Sequence, residues 1–462
     1  LRAGIILAAV MVAAPLAATA ASNPDPVTSY PAAFFAPSQP ASALDMLQRL
    51  PGFTLDTGAD VRGFGGAAGN VLIDGVRPPA KGDSIDQILQ RMPAAAVERI
   101  ELIRAGAPGV DMQGKTVLAN VIRRKDITSL ATLTASATHA YDGRLSGKIQ
   151  IEGEKRIGET ELRGSVLAGR FLDDGSGEGT WLRRFAGGAA VNAGDIAQGH
   201  ENNYKATGSV ETKALGGTLK INASALIDPY HYTQSDTLIP SPGEDFETLF
   251  TRADTAELGV RYERPLGTGA SLETYLLQQL GRQKEIDNFT SDPLTAALTG
   301  DDVTDLFNLR KKTSESIARA VVKDEASKTL SLEAGLEADY NWLAALTSFI
   351  ENGAPVALPA ADVTVDERRG EAFVTATWRP KASLSLEFGL KGEASHIASS
   401  GQVVSARSLY FAKPRVVAAW SPDRDDQIRV RVEREIGQLN FDDFTAQTAG
   451  IDTGTVHAGN PT

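Results

Sequence analysis

Two glycine-rich runs near the N-terminus carry the spelling of phosphate-binding loops. Gly109-Val110-Asp111-Met112-Gln113-Gly114-Lys115-Thr116 fits G-x-x-x-x-G-K-T, and Val71-Leu72-Ile73-Asp74 imitates the acidic strand that accompanies it. A working P-loop joins a buried strand directly to a helix, so that backbone amides cradle the phosphates and the lysine reaches them. Here the nearest strand ends near Ile103, and Ala107-Pro108 interrupts the join. Glu98, Arg99 and Glu101 also place charge on a strand that would need two buried faces. The run therefore reads as a glycine-rich turn leading into a strand over Val117–Ile122. Gly63-Phe64-Gly65-Gly66-Ala67-Ala68 resembles a dinucleotide fingerprint, yet a strand follows it, leaving a pyrophosphate no helix N-terminus to rest on. It is a turn. The other reactive types are sparse. His139, His200, His231, His396 and His457 have no metal-ligand spacing, and the absence of cysteine removes thiolate chemistry. No Ser/His/Asp or paired-carboxylate constellation stands out. A net charge of −12 argues against nucleic acid, whose phosphates need a basic face. The expectation is a protein without catalysis, cofactor or metal.

The elements around these runs divide the chain. Arg2 precedes an apolar stretch from Ile5 to Ala18 that ends in Ala18-Thr19-Ala20, the pattern of a signal peptide over residues 1–20. Pro15 and the short length argue against a membrane-spanning helix. Residues 21–40 are rich in Pro and Ala and read as a linker. Over 41–126 the pattern is that of a small α+β unit. Ser42 caps a helix whose third residue is Asp45 and which Pro51-Gly52 stops. A strand covers Asn70–Gly75, a helix begins near Asp83 or Ser84, and a strand covers Val97–Arg104.

The ordered segments ALDMLQRLPGF, DVRGFGG, NVLIDGVRP, ILQRMPAAAVERIELIRAG and LANVIRRK resemble the plug domain of TonB-dependent receptors. Arg62, Gly63, Asp74, Gly75, Arg99 and Arg104 carry the motif, although Ala105 separates Arg104 from Gly106 where the family has glycine directly. The resemblance implies a plug followed by an antiparallel transmembrane β-barrel in the outer membrane of a Gram-negative bacterium. It implies gated import of a scarce nutrient, such as a siderophore-iron complex, cobalamin or glycan, driven by the TonB-ExbB-ExbD complex. Pro26-Val27-Thr28-Ser29-Tyr30 is the candidate TonB-contact segment, through Val27, Thr28 and Tyr30. It further implies that Arg62 and Arg104 pair with barrel carboxylates, for which Glu337, Glu387 and Glu433 are the candidates.

From Ser129 onward the apolar period is two. Leu384, Leu386, Phe388 and Leu390 alternate with Ser385, Glu387, Gly389 and Lys391, as a strand between lipid and a wet lumen requires. Residues 330–340 and 427–433 behave likewise. Tight turns near 155–159, 214–217, 265–269, 323–327, 380–382 and 421–426 alternate with long polar connections at 171–203, 229–254, 282–313, 341–367 and 397–406. Short periplasmic turns and long external loops are the habit of outer-membrane barrels. A passive porin and a secreted β-rich adhesin are the alternatives, but a porin needs no folded unit ahead of its first strand. The turns divide residues 127–462 into about thirteen strands of roughly ten residues, against the even numbers of bacterial barrels. The resemblance implies about twenty-two, so a barrel truncated at its C-terminus is expected. The loop aromatics Trp181, Tyr230, Tyr232 and Trp342 are candidates either for ligand stacking or for an interfacial girdle.

Overall fold

The computed structural model describes residues 27–58, 69–77, 81, 84–104, 112, 115–126, 128–184, 190–239, 243–293, 296, 304–381, 383–422, 426–437, 440–448 and 456–457. The expected signal peptide, the start of the linker, Arg62 and Gly63, both glycine runs apart from Met112, Lys115 and Thr116, and the last five residues lie outside them.

The N-terminal unit is a mixed four-stranded sheet backed by short helices. Strands β1 (Val27–Pro31), β2 (Val71–Ile73), β3 (Val97–Arg104) and β4 (Val117–Arg123) lie in the order β1-β3-β4-β2. β2 runs parallel to β4 and the other pairs are antiparallel. Helices α1 (Ala32–Phe35), α2 (Ala43–Leu47) and α3 (Ile85–Arg91) cover one face. α2 starts as its sequence dictates. The Asp45 amide donates to the Ser42 hydroxyl at 3.2 Å, and the Asp45 carboxylate accepts from the Ser42 and Ala41 amides at 2.9 Å each. Burial raises the Asp45 pKa, but these hydrogen bonds outweigh it and hold the carboxyl below its ordinary value. The core joins Phe35, Met46, Leu47, Leu89, Ile100, Leu102 and Val121, all buried. Residues 27–38 differ from the linker their composition suggested. Val27 and Tyr30 stand in β1 against β3, and Phe35 is buried beneath the sheet, because three apolar side chains among the Pro and Ala suffice to extend it.

A separate antiparallel sheet forms the wall. Its strands are β5 (Ser129–His139), β6 (Leu145–Ile157), β7 (Thr160–Leu172), β8 (Gly177–Arg184), β9 (Ala190–Ala214), β10 (Gly217–Ile239), β11 (Glu244–Pro265), β12 (Ala270–Thr290), β13 (Thr304–Ser327), β14 (Leu330–Glu351), β15 (Ala354–Val356), β16 (Asp362–Lys381), β17 (Leu384–Gly401), β18 (Ser405–Trp420) and β19 (Ile428–Glu433). Thirteen of these fifteen lie on one hydrogen-bonded path from β5 to β19, with β8 beside β9 and β15 beside β14. Among the described residues the path is not closed: β5 and β19 do not pair. Short turns fall where the sequence placed them, but the strands are far longer than ten residues. β9 has 25, β13 has 24 and β10 has 23. Most of 229–254, 282–313 and 341–367, read as loops, continues the ladders. Backbone pairing does not depend on side chains, and alternation fades where both faces are polar.

The wall is apolar outside and charged inside. Along β14 the outward Leu332, Ala334, Leu336 and Ala338 are exposed, and Tyr340 follows. Trp378, paired with Leu330, and Trp420 are exposed near the short turns. From Leu330 to Tyr340 is ten steps, about 34 Å of strand at ~3.4 Å each. Tilted as barrel strands are, that spans the roughly 25 Å apolar band of an outer-membrane wall. Facing inward, Glu337 takes Arg319 at 2.8 Å and Arg369 at 3.1 Å, and Arg261 meets Glu273 at 3.0 Å. Gly335 makes room on this face. A Cβ there would lie 2.5 Å from the Phe373 ring, over which the Arg319 guanidinium sits at 4.5 Å. No helix among the described residues is long and apolar enough to cross a membrane.

Candidate functional site at the plug–wall interface

The turn that follows β2 organises the contact between the two units. Ile73 and Val76 exchange backbone hydrogen bonds of 2.8 and 3.0 Å, leaving Asp74 and Gly75 as a two-residue turn with φ of 50° and 83°. Positive φ at both central positions is what a type I′ turn demands, and Asp-Gly meets it at low cost. The Gly75 amide donates to the Asn120 side chain at 2.8 Å, and Asn120 donates to Glu101 at 2.9 Å, so the turn is fixed to β3 and β4. The Asp74 carboxylate then receives the Arg123 backbone amide at 2.9 Å and its Nε at 2.6 Å.

Arg123 carries this arrangement into the wall. Its Nη1 lies 2.5 Å from Glu161 and 3.6 Å from Glu154, carboxylates of β7 and β6. Arg156 reaches Glu161 at 2.9 Å, Arg163 bonds the same carboxylate, and Arg163 also reaches Glu154 at 3.1 Å. Three guanidiniums thus face three carboxylates in a site where the Arg123 side chain is 7% exposed. Removing one member of such a buried cluster leaves uncompensated charge.

Two further ties hold the plug. Lys81, largely buried, binds Glu315 of β13 at 2.8 Å, and its amide donates to Glu257 of β11 at 3.2 Å. Lys205 of β9 donates to Gln87 of α3 at 2.5 Å. Between the units lies a cavity of about 150 Å³, with Ile73, Val76, Ile88 and Met92 on the plug side and Glu152, Lys220 and Asn222 on the wall. A larger space of about 460 Å³ opens toward the short turns, between Lys115 of the plug and Arg261, Lys323, Arg379 and Arg429 of the wall.

The residues singled out by sequence fare unevenly. Arg104 stays within the plug and donates to Thr28 at 3.2 Å, rather than reaching a barrel carboxylate. Its strand ends beside β1, so its side chain meets that edge before the wall. The proposed partners are engaged along the wall itself: Glu337 by Arg319 and Arg369, Glu387 by Arg415 at 2.5 Å, Glu433 by Arg431. Arg99 bonds Glu98 and Glu101, whose carboxylates raise its pKa. Val27, Thr28 and Tyr30 occupy an edge strand, opposite Ile103, Leu102 and Ile100. Lys115, the lysine of the P-loop spelling, is bonded to Asp56 at 2.6 Å, and that bond holds the Asp56 carboxyl below its ordinary value. Arg123 was missed as an anchor, because it opens the basic run Arg123-Arg124-Lys125 and nothing local sets it apart from its neighbours. Among the loop aromatics, Tyr230 and Tyr232 are stacked at 6.5 Å on the inner face, and Trp181 donates to Asp236 at 2.8 Å. Trp342 stands on the outward side of β14, at the upper margin of the apolar band. Among the described residues no cluster of three or more His, Asp or Glu is placed to hold a metal ion.

Residues 19–119 match the family model of the TonB-dependent Receptor Plug Domain. No curated protein matches the chain in sequence. Several solved structures resemble it. The siderophore receptor PiuA of Acinetobacter baumannii is 12% identical, over 88% of this chain and 64% of its own, with a TM-score of 0.40. BauA, the ferric preacinetobactin receptor of the same species, is 11% identical over 89% and 63%, at 0.44. The closed ferric-catecholate import receptor Fiu of E. coli K12 is 14% identical over 88% and 64%, at 0.42. The chain therefore spans under two thirds of the length of these receptors.

Proposed function

We propose that this chain, a TonB-dependent receptor carrying the plug domain of that family, is an outer-membrane protein that imports a scarce nutrient by moving its plug. The substrate class proposed is a siderophore-iron complex, cobalamin or a glycan, with energy from the TonB-ExbB-ExbD complex. Residues 1–20 serve as the export signal, and Val27, Thr28 and Tyr30 receive the pull. The observation that carries the reading is the asymmetry of the plug's attachment. At its N-terminal side β1 is a five-residue edge strand joined to one neighbour. At its C-terminal side Arg123 is locked to Asp74 and Glu161, and the chain runs on into β5. Force applied ahead of Val27 loads the β1–β3 ladder first, while the Arg123 end stays with the wall. Edge elements with few contacts open at lower free energy than core ones, so the plug yields from one side.

A disulfide tests this. The chain has no cysteine, and Ser29 faces Glu101 across β1 and β3, so Ser29→Cys with Glu101→Cys gives a single designed bridge. A deletion strain complemented with the gene is first screened for TonB-dependent uptake of labelled ferric siderophores, cyanocobalamin and oligosaccharides. Oxidation of the double variant should then cut uptake at least about tenfold and reductant should restore it, since a disulfide blocks strand separation. Undiminished uptake in the oxidised form, or uptake independent of TonB, would overturn the proposal.

A further inference from the structure

On the outer surface of the wall, just past the apolar band, five cations crowd together. Arg252 on β11, Arg282 and Lys284 on β12, and Arg310 and Lys312 on β13 are all exposed and point outward. The register makes them direct neighbours. Arg252 faces Lys284, Lys284 faces Arg310, and Arg282 faces Lys312. Like charges directly opposite on adjacent strands destabilise a sheet, and this chain carries a net charge of −12. One carboxylate sits among them, Asp254, which faces Arg282 and binds Arg252 at 2.8 Å. Lys284 lies over the Phe250 ring at 5.6 Å. Among the described residues Arg282, Arg310 and Lys312 have no ion-pair partner.

The position of the patch completes the case. On β12 the outward Leu276 and Leu280 are exposed in the apolar band, and the next outward residue is Arg282. Lys312 faces Ala344, two outward positions beyond Tyr340 on β14. The patch lies at the end of the band away from the short turns, which in outer-membrane barrels is the external side. Long basic side chains at that level run their stems along the apolar surface and present their charge to headgroups. Two rows of unneutralised cations at the height of the external headgroups call for a multiply charged anion. We infer that this patch docks the phosphate groups of the phosphorylated glycolipid of the outer leaflet. The inference rests on the outer-membrane reading proposed above.

The test uses the full chain in detergent, titrated with bisphosphorylated lipid A and with fully dephosphorylated lipid A. The patch variant replaces Arg282, Lys284, Arg310 and Lys312 by Gln. A control variant replaces Lys213, Arg264, Lys328 and Lys381, exposed residues at the short-turn end, also by Gln. Wild type and control should bind the bisphosphorylated form at least about tenfold more tightly than the patch variant, since each basic residue near an anionic headgroup adds attraction. The dephosphorylated form should be bound weakly by all three. Without lipid the patch variant should melt no lower than wild type, and bisphosphorylated lipid A should raise Tm only where the patch is intact. Equal affinity of patch variant and wild type, equal affinity for the two lipids, or a lower Tm of the lipid-free patch variant would each overturn the inference. Membrane fractionation reports separately on location. A chain absent from the outer-membrane fraction that still discriminates the two lipids sinks the location and leaves the phosphate chemistry standing.

Discussion

In the plug, Ile100, Leu102 and Leu118 are wholly buried, and charged residues such as Glu98 and Lys115 stand toward the rim. In the wall, Leu336 is 65% exposed while its sequence neighbour Glu337 is 4% exposed. The two regions share a chain and a backbone vocabulary but bury opposite chemistries. The plug gains stability from apolar area removed from water. The wall turns its apolar face outward, and its inner face holds ion pairs such as Arg319–Glu337 and Arg261–Glu273. At the interface both rules meet: the polar ties are Arg123, Lys81 and the Lys205–Gln87 bond, and Leu130 of β5 packs against the plug's apolar core.

The sharpest way to break the comparison is Arg123→Met. It removes the shared cation of Asp74 and Glu161, and breaking a buried cluster of this kind costs about 3–5 kcal/mol. Hydrogen exchange of the β4 amides should accelerate accordingly while the wall amides stay protected. Unchanged protection of β4 would mean the plug does not need this tie. Next comes Leu336→Arg, which tests the wall's outer face. Denaturant unfolding from phospholipid vesicles should report a loss of roughly 2–4 kcal/mol near the band's centre. The same measurement on Ser348→Arg, exposed beyond the band, should show a change near zero. Equal effects at both positions would remove the lipid band.

The smallest effect belongs to the plug's own surface. The Asp45 carboxyl titrates below the ordinary value of 3.8 when folded. Its contribution to stability is therefore present above that value and lost as pH falls through the lowered one. Lowering pH from 6 to 3 should weaken the plug of the wild type more than that of Asp45→Asn. Parallel pH curves for the two would mean the cap carries no charge-dependent stability.

Much of this contrast was legible in the sequence. Ser42 and Asp45 announced their helix cap and the period-two run Leu384–Lys391 announced a wall strand, whereas the strand read over Asn70–Gly75 ends at Ile73 and Asp74-Gly75 forms a turn. Phe388 and Leu390 are exposed, while Glu387 and Lys391 are held inside by Arg415 and Glu371. What stayed hidden depends on distance between segments. Nothing local separates Arg104, which ends beside β1, from Arg123, which ends beside β7. The run Arg282, Lys284 and the run Arg310, Lys312 were visible as charges, but only the register of β12 against β13 makes them one patch. The polar stretches beyond the band were taken for coil because alternation vanishes there, although the ladders persist.

Those persistent ladders have a consequence in kinetics. On β14 the strand continues eleven residues past Tyr340, to Glu351, which raises the mouth by about 28 Å at the usual rise and tilt. Tyr230, Tyr232 and Trp181 are carried on such hairpins. On the importer reading proposed above, a solute arriving there meets side chains whose backbone is already ordered, so capture does not wait for a loop to fold and forfeits little entropy to ordering. Discrimination between solutes then falls to how long each one stays rather than how fast it arrives.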